Sequence, residues 1–599
     1  IPFSGPIDVL DLVKHHHNDD YATADDVIYL IDVTEGSPTY GQPALLDIGN
    51  GNFPVLLERM EGHYWESDAR DDTNSLLFEE HSEDLNDNNK LDPGEDTDLD
   101  GLLDKPNYWP WEERKHSEMT LSERAEALMP FYERETNTLI VRALVPLRPR
   151  TTYAVVVTRR LKDSAGKPVG SPFPWVHHLS QTEALRNLPD ILTDGLLFGG
   201  LGLDDVAFTW TFTTGTMYAD IKAVRDGLYG LGAQKHLAKE FPADLATLHE
   251  LFDDKPNFPK FENMYTISGE TFSDVAKLMA ENGALISFGG PAQKDIFFKA
   301  LDYVDYHVFG SYESPQLFRR TDDDGRYLDY NDMSWPADLA TVKAPAEPQK
   351  VTFWMTVPRK EACPDGKPRG VVILGHGYTG NKSEVFGFHN FFSQACLVVV
   401  AIDNVSHGFA LNNTDSALLK AVLGGNGIGK MAAALTSNRS WDQDLDGMED
   451  SGADFWTAYT FHTRDVVRQT AIDYMQLIRV LRGWDGTRTW SFDTNSNGIA
   501  DDLAGDLNGD GKVDVGGADM PITMTGGSLG GIMAAVVGGL EPHLAAIAPI
   551  AGGGGLIDIG VRSIQGGIKE AVQLRLMGPL YIGYPNNAAG TMDIQTVVP

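Results

Sequence analysis

The sequence predicts a multidomain chain, a β-rich N-terminal region followed by a doubly wound α/β sheet that is incomplete at its C-terminal end. Three observations carry this expectation. From about Val351 onward, continuous apolar runs alternate with stretches of helical periodicity. Before that point, short runs alternate polar and apolar residues between turn signals. At 599 residues, the chain also exceeds what one hydrophobic core normally serves.

In chain order, Asp26–Val33, Thr138–Ala143, Thr152–Thr158 and Val206–Thr213 read as strands, with prolines at Pro146 and Pro149 between the second and third. Their alternation suits a sandwich with one wet face. The expected divisions are an N-terminal β-rich region over 1–135, a β-sandwich over 136–216, a connecting region over 217–343 that contributes to a lid, and the α/β domain over 344–599. Within the connecting region, Asp220–Leu231 and Asp274–Glu281 read as helices.

In the α/β part, Gly370–Leu374 is an apolar, β-branched run ending in Gly375-His376-Gly377-Tyr378, and Cys396–Asp403 is a second. A long helix over Asp454–Leu481 follows. Phe461, Val466, Val467, Ile472, Met475, Leu477 and Ile478 are expected on its buried side, and Arg464, Asp465, Arg468 and Asp473 on its wet side. Leu544–Ala551 reads as a further buried strand.

Between helix and last strand lies Gly526-Gly527-Ser528-Leu529-Gly530, directly after the apolar run Pro521–Thr525 and before a helix-competent stretch. Strand, sharp turn and helix around a Gly-x-Ser-x-Gly stretch hold a serine in a strained conformation with its hydroxyl projecting from the sheet. Flanking glycines let strand and helix approach closely. Ser528 is the expected nucleophile, and the Leu529 and Tyr378 amides are the expected oxyanion donors. His376 is expected to orient the Tyr378 loop rather than to act as base.

The His-Gly loop, the long helix and the Gly-Gly-Ser-Leu-Gly-Gly turn resemble an α/β-hydrolase serine esterase or lipase. More narrowly, the chain resembles the bacterial virulence-factor-type lipases, which carry a β-rich region before the hydrolase domain. The stretch over 136–216 resembles a bacterial Ig-like domain. The hydrolase resemblance implies a Ser, acid, His order along the chain. After Ser528 the sole histidine is His543, in the turn before the next strand, too early for the usual base. Two explanations compete. The preferred one is that the chain is a fragment whose C-terminal remainder carries acid and base. The other is that an upstream histidine, His407 or His376, serves. Asp558 would be the acid only in a less common variant, and Asp593 is a weaker candidate.

Acidic loops form the second pattern. Asp84, Asn86, Asn88, Lys90, Asp92 and Glu95 fall at positions one, three, five, seven, nine and twelve of a twelve-residue loop, Lys90 through its carbonyl. Asn89 stands where glycine is usual and tolerates a left-handed backbone. The pattern recurs with Asp96, Asp98, Asp100, Leu102 and Asp104, and with Asp442, Asp444, Asp446, Met448 and Asp450. It recurs again with Asp493, Asn495, Asn497, Ile499 and Asp501, and with Asp506, Asn508, Asp510, Lys512 and Asp514. Alternate oxygens around a tight turn suit a hard cation, and several structural Ca²⁺ ions are the expected cofactor. The loops resemble those of dockerin and thrombospondin-type repeats. The last ends a few residues before the Ser528 strand, so Ca²⁺ is expected to stiffen its approach.

A formal charge of −38 excludes nucleic acid as partner. No apolar run is long enough to span a bilayer. The two cysteines, Cys363 and Cys396, flank the Val371–Leu374 strand and allow a disulfide. The expectation is a secreted, cell-surface or periplasmic bacterial esterase or lipase, acting on a small-molecule, lipid or polyester ester. The alternatives are a serine peptidase of the same fold and a non-catalytic, calcium-stiffened surface or adhesion protein.

Overall fold

The computed structural model describes the chain apart from 17–21, 49–82, 97–100, 104–106, 110–128, 249–263, 282–297, 443–446, 494–496, 557–558, 560–579, 587–590, 598–599 and a few isolated positions. Two compact units are present, Ile1–Met217 with Ile557–Pro599, and Tyr218–Leu556.

The first unit is built on a three-stranded antiparallel sheet of β1 (Ile28–Asp32), β2 (Thr152–Thr158) and β3 (Val206–Thr213), with β2 in the middle. β1 therefore joins the sheet of strands expected in a separate domain. Thr138–Ala143 does not form one strand: Thr138–Leu139 and Arg142–Ala143 each make a two-residue pair with different partners. The expected wet face is covered. Tyr29, Ile31, Ala154 and Val156 pack on Leu185, Leu188, Leu192 and Phe198, while Leu30, Tyr153 and Val155 pack under Leu46 and Ala143. The polar alternation is carried by Thr152 and Thr158 alone within β2, too little to leave a face in water.

The second unit is a seven-stranded sheet: β4 (Met264–Ser268), β5 (Val304–Gln316), β6 (Glu347–Pro358), β7 (Gly370–Gly375), β8 (Leu397–Ile402), β9 (Ile522–Gly527) and β10 (Ala546–Ile550), in spatial order β10-β9-β7-β8-β6-β5-β4. β10, β9, β7 and β8 are parallel, and β8, β6, β5 and β4 pair antiparallel. The sheet is thus mixed rather than wholly parallel. The 217–343 stretch, expected as a connection, supplies two of its strands. Long antiparallel pairs such as β5 with β6 need no helical crossover, so the strand–helix rhythm that marked the parallel part was silent here.

Crossover helices α1 (Val385–Gln394), α2 (Asn413–Gly425), α3 (Gly429–Thr436), α4 (Thr460–Arg482) and α5 (Leu529–Gly538) follow the parallel strands. β7 is buried along its whole length, as its apolar run dictates. β10 is not: all five of its residues are exposed, Ile550 by 60%. Its apolar composition suits an interior strand, but it lies at the sheet edge and no described residue covers its outer side. The disulfide expected as possible, Cys363–Cys396, is present and ties the approach to β7 to the start of β8.

α4 departs from the expected amphipathic assignment. Phe461 is 51% exposed, whereas Asp465 and Asp473 are fully buried. The reason is polar docking. Gln469 Nε2 donates to the Pro315 carbonyl at 2.8 Å and its Oε1 accepts from Leu317 N–H at 3.1 Å. Asp473 accepts from Ser314 Oγ at 2.6 Å and from Arg439, and Asp465 accepts from Trp335 N–H at 2.9 Å. The helix seals the end of β5 with side-chain hydrogen bonds, and Asp465, Gln469 and Asp473 each find partners there as burial requires.

Candidate active site

Ser528 sits between β9 and α5 with φ 53° and ψ −116°, a strained backbone for a residue with a Cβ. Its side is exposed. The turn is held by Ser528 N–H donating to the Ile550 carbonyl at 2.9 Å and by its carbonyl accepting from Ile532 N–H at 3.0 Å.

The motif glycines are required by contact. A Cβ on Gly526 would lie 2.5 Å from the Gly375 carbonyl oxygen, and one on Gly530 would lie 2.1 Å from it. Gly527, between them, meets nothing within 4 Å. So the end of β9, the start of α5 and the end of β7 cross with no side chain between them. That crossing brings the loop after β7 beside the elbow, since Gly375 is registered with Gly526. Leu529 begins α5, and its first-turn amide has no intrahelical acceptor.

His376 is buried in that loop. Asn404 N–H can only donate, and it reaches His376 Nε2 at 2.9 Å. The ring proton therefore sits on Nδ1, which donates to the Gly377 carbonyl at 2.8 Å. Burial pushes the ring down to about 4, so it is neutral at ordinary pH. With both nitrogens held by main chain, His376 ties the loop to the end of β8.

His407 is buried beside it, ring centroids 5.2 Å apart. Its Nδ1 lies 2.9 Å from the Val405 carbonyl and its Nε2 has no hydrogen-bond partner among the described residues. Burial and the neighbouring His376 push it down to about 3. His543 precedes β10 and therefore lies at the opposite end of the parallel strands from Ser528, about 15–20 Å away along six residues of strand. No histidine hydrogen-bonds the Ser528 hydroxyl among the described residues. Asp558 lies outside them.

Sequence reasoning missed three groups. Glu384 accepts from Gly377 N–H through both oxygens at 3.2 Å, and burial raises its pKa. Lys382, fully buried, donates from Nζ to Asp403 at 2.6 Å and to the Ser437 carbonyl at 2.9 Å. Ser451 bonds the loop after β7. Each partner is remote in sequence or hidden behind an unremarkable lysine, glutamate or serine, so no local signal marks them.

The acidic loops share one geometry. The residue at position six has a positive φ in all five: Asn89 57°, Gly101 82°, Gly447 91°, Gly498 87° and Gly511 79°. In each, that residue's N–H donates to the position-one aspartate, Asp84, Asp96, Asp442, Asp493 or Asp506, at 2.7–3.1 Å. Lys90, Ile499 and Lys512 N–H donate to the side-chain oxygens of Asn88, Asn497 and Asp510. Glu95 accepts from the Leu85 and Asp92 amides, closing its own loop. Asp98, Asp100, Leu102, Asp104, Asp444, Asp446 and Asn495 lie outside the described residues. Among the described residues, no three His, Cys, Asp or Glu side chains converge as a metal-binding group.

No protein-family model matches the chain, and no curated protein matches it. Solved structures do, and those named here are alike at low identity. An acetyl xylan esterase from Paenibacillus sp. R4 is 16% identical with a TM-score of 0.21, over 51% of this chain and 63% of that one. Acetyl xylan esterase 1 from Thermoanaerobacterium sp. JW/SL YS485 is 13% identical with a TM-score of 0.21, over 48% and 68%. A thermostable carboxyl esterase from Bacillus coagulans is 16% identical with a TM-score of 0.17, over 40% and 43%. The chain spans 38% of the length of a lipase in its open form. These solved structures are esterases and a lipase; the chemistry rests on the residues described above. No described helix is long and apolar enough to cross a membrane.

Proposed function

We propose that the chain is a serine ester hydrolase of α/β-hydrolase architecture, with Ser528 as nucleophile. One observation carries the reading. An exposed serine is held at φ 53° on a strand-to-helix junction at the end of the parallel strands, with glycine backbone crossing directly beneath it. A strained, exposed residue at that junction is the outlier from which a use for its hydroxyl is inferred. Ser528 Oγ attacks the ester carbonyl carbon, its proton passing to a base, and the Leu529 and Tyr378 amides receive the oxyanion. The alkoxide leaves with that proton, and water then cleaves the acyl-enzyme to release the acid. His376 acts on this chemistry through the loop it holds and not as the base.

The acidic loops are assigned structural Ca²⁺. Their donor chemistry fits a hard cation, with oxygens at alternate positions and the required left-handed turn at position six. Asp84, Asp92 and Glu95 would hold one ion, and Asp506, Asp510 and Asp514 another. The Cys363–Cys396 disulfide supports an oxidising, extracytoplasmic setting. The first unit is assigned a non-catalytic, Ig-like accessory role on its three-stranded sheet.

The test is labelling by a fluorophosphonate probe together with hydrolysis of p-nitrophenyl esters and a peptide panel. Wild type should label and turn over esters rather than peptides, and Ser528→Ala should do neither. Undiminished labelling or turnover in Ser528→Ala overturns the assignment.

A further inference from the structure

The loop that carries Tyr378 is gripped from a second side, by residues far away in sequence. Trp441 and Asp450 close the neck of the third acidic loop, the Asp450 N–H donating to the Trp441 carbonyl at 2.9 Å. The next two residues run across the loop after β7. Ser451 Oγ donates to the Thr379 carbonyl at 3.1 Å and accepts from Gly408 N–H at 3.1 Å. Gly452 N–H donates to the Ser406 carbonyl at 2.6 Å, and the Gly452 carbonyl accepts from the Tyr378 hydroxyl at 3.0 Å.

Three segments thus meet at two residues: the loop after β7 with its Tyr378 side chain, the loop after β8 and the acidic-loop insertion. Gly452 has φ +83°, and a Cβ there would lie 3.0 Å from both the Tyr378 ring and His407 Nε2. The site is fitted to glycine by conformation and by contact together.

We propose that Ser451 and Gly452 form a strap that positions the Tyr378 amide for oxyanion binding; this rests on the hydrolase reading above. His376 ties the near end of the loop to β8, and Thr379 φ 61° marks its far end as conformationally costly. A loop so shaped needs an external hold, and the strap supplies it through a serine hydroxyl that bridges two main chains. Small displacements of an oxyanion donor are expensive, so the strap's effect falls on turnover rather than on substrate affinity.

The test uses the full chain and the variants Ser451→Ala, Ser451→Thr and Tyr378→Phe. Ser451→Ala and Tyr378→Phe should each lower kcat for p-nitrophenyl acetate about tenfold with KM unchanged. Ser451→Thr, which keeps the hydroxyl, should recover most of the loss. Backbone hydrogen exchange of peptides spanning 376–380 should rise in Ser451→Ala and stay at wild-type level over β8. Exchange needs no turnover, so it decides the strap even if the wild-type chain proves inactive and the hydrolase reading fails. Wild-type exchange over 376–380 in Ser451→Ala, or a kcat loss that Ser451→Thr does not recover, overturns the proposal.

Discussion

Gly530 lies on Gly375 so closely that a methyl group on Gly530 would sit 2.1 Å from the Gly375 carbonyl oxygen. No real Cβ tolerates that distance, and the atom it meets is backbone of a buried interior strand, which cannot swing aside. Gly530→Ala should therefore cost at least about 2 kcal/mol of stability by overpacking, and Gly527→Ala, which meets nothing, should stay within about 0.5 kcal/mol. Urea unfolding of the two variants checks the contrast; equal midpoints would show that the crossing is looser than described.

Lys382 and Asp403 form a buried pair beside the Tyr378 loop, Nζ to Oδ2 at 2.6 Å, with Lys382 N–H also donating to Asp403 at 2.7 Å. Lys382→Met strands a buried carboxylate and should destabilise by about 3–5 kcal/mol. Adding Asp403→Leu should return part of that, because the isolated charge is then gone. A double variant no more stable than the single one would contradict the account.

His376 and His407 are held neutral by burial, at about 4 and about 3 against 6.5 for a free ring. Between those values the unfolded chain binds protons that the folded chain refuses, so stability rises with pH. It should fall as pH drops from about 6.5 toward 4, by at most about 1.4 kcal/mol per pH unit for each ring. His376→Gln should flatten that slope in denaturation curves taken across the window; an unchanged slope would place the proton uptake elsewhere.

If the acidic loops hold Ca²⁺, removing it leaves crowded carboxylates around tight turns. Chelation should lower the thermal midpoint, and added Ca²⁺ should restore it. Asp506→Ala, which removes the carboxylate that accepts the Gly511, Asp510 and Gly509 amides, should shrink the chelator effect. A midpoint indifferent to chelator removes the metal from the proposal.

What the sequence determined by itself is local. Gly526, Ser528 and Gly530 announce a strained turn because the constraint lies within five residues, and Asn89, Gly101, Gly447, Gly498 and Gly511 announce left-handed turns for the same steric reason. Buried β7 and β8 were equally legible, since interior parallel strands are continuously apolar.

What only the tertiary structure decided concerns partners. Asp465 and Asp473 look solvent-facing until Trp335, Ser314 and Arg439 arrive from elsewhere in the chain to satisfy them. β10 reads as interior, yet it is the last strand of the sheet and its residues are exposed among the described residues. The Tyr378 loop is held by Ser451, Gly452, Asn404 and Glu384, three of them more than twenty-five residues away. Periodicity reports how a side chain is distributed around its own helix or strand. It carries no information on which distant donor or acceptor removes the cost of burying it, and that cost decides which polar residues go inside.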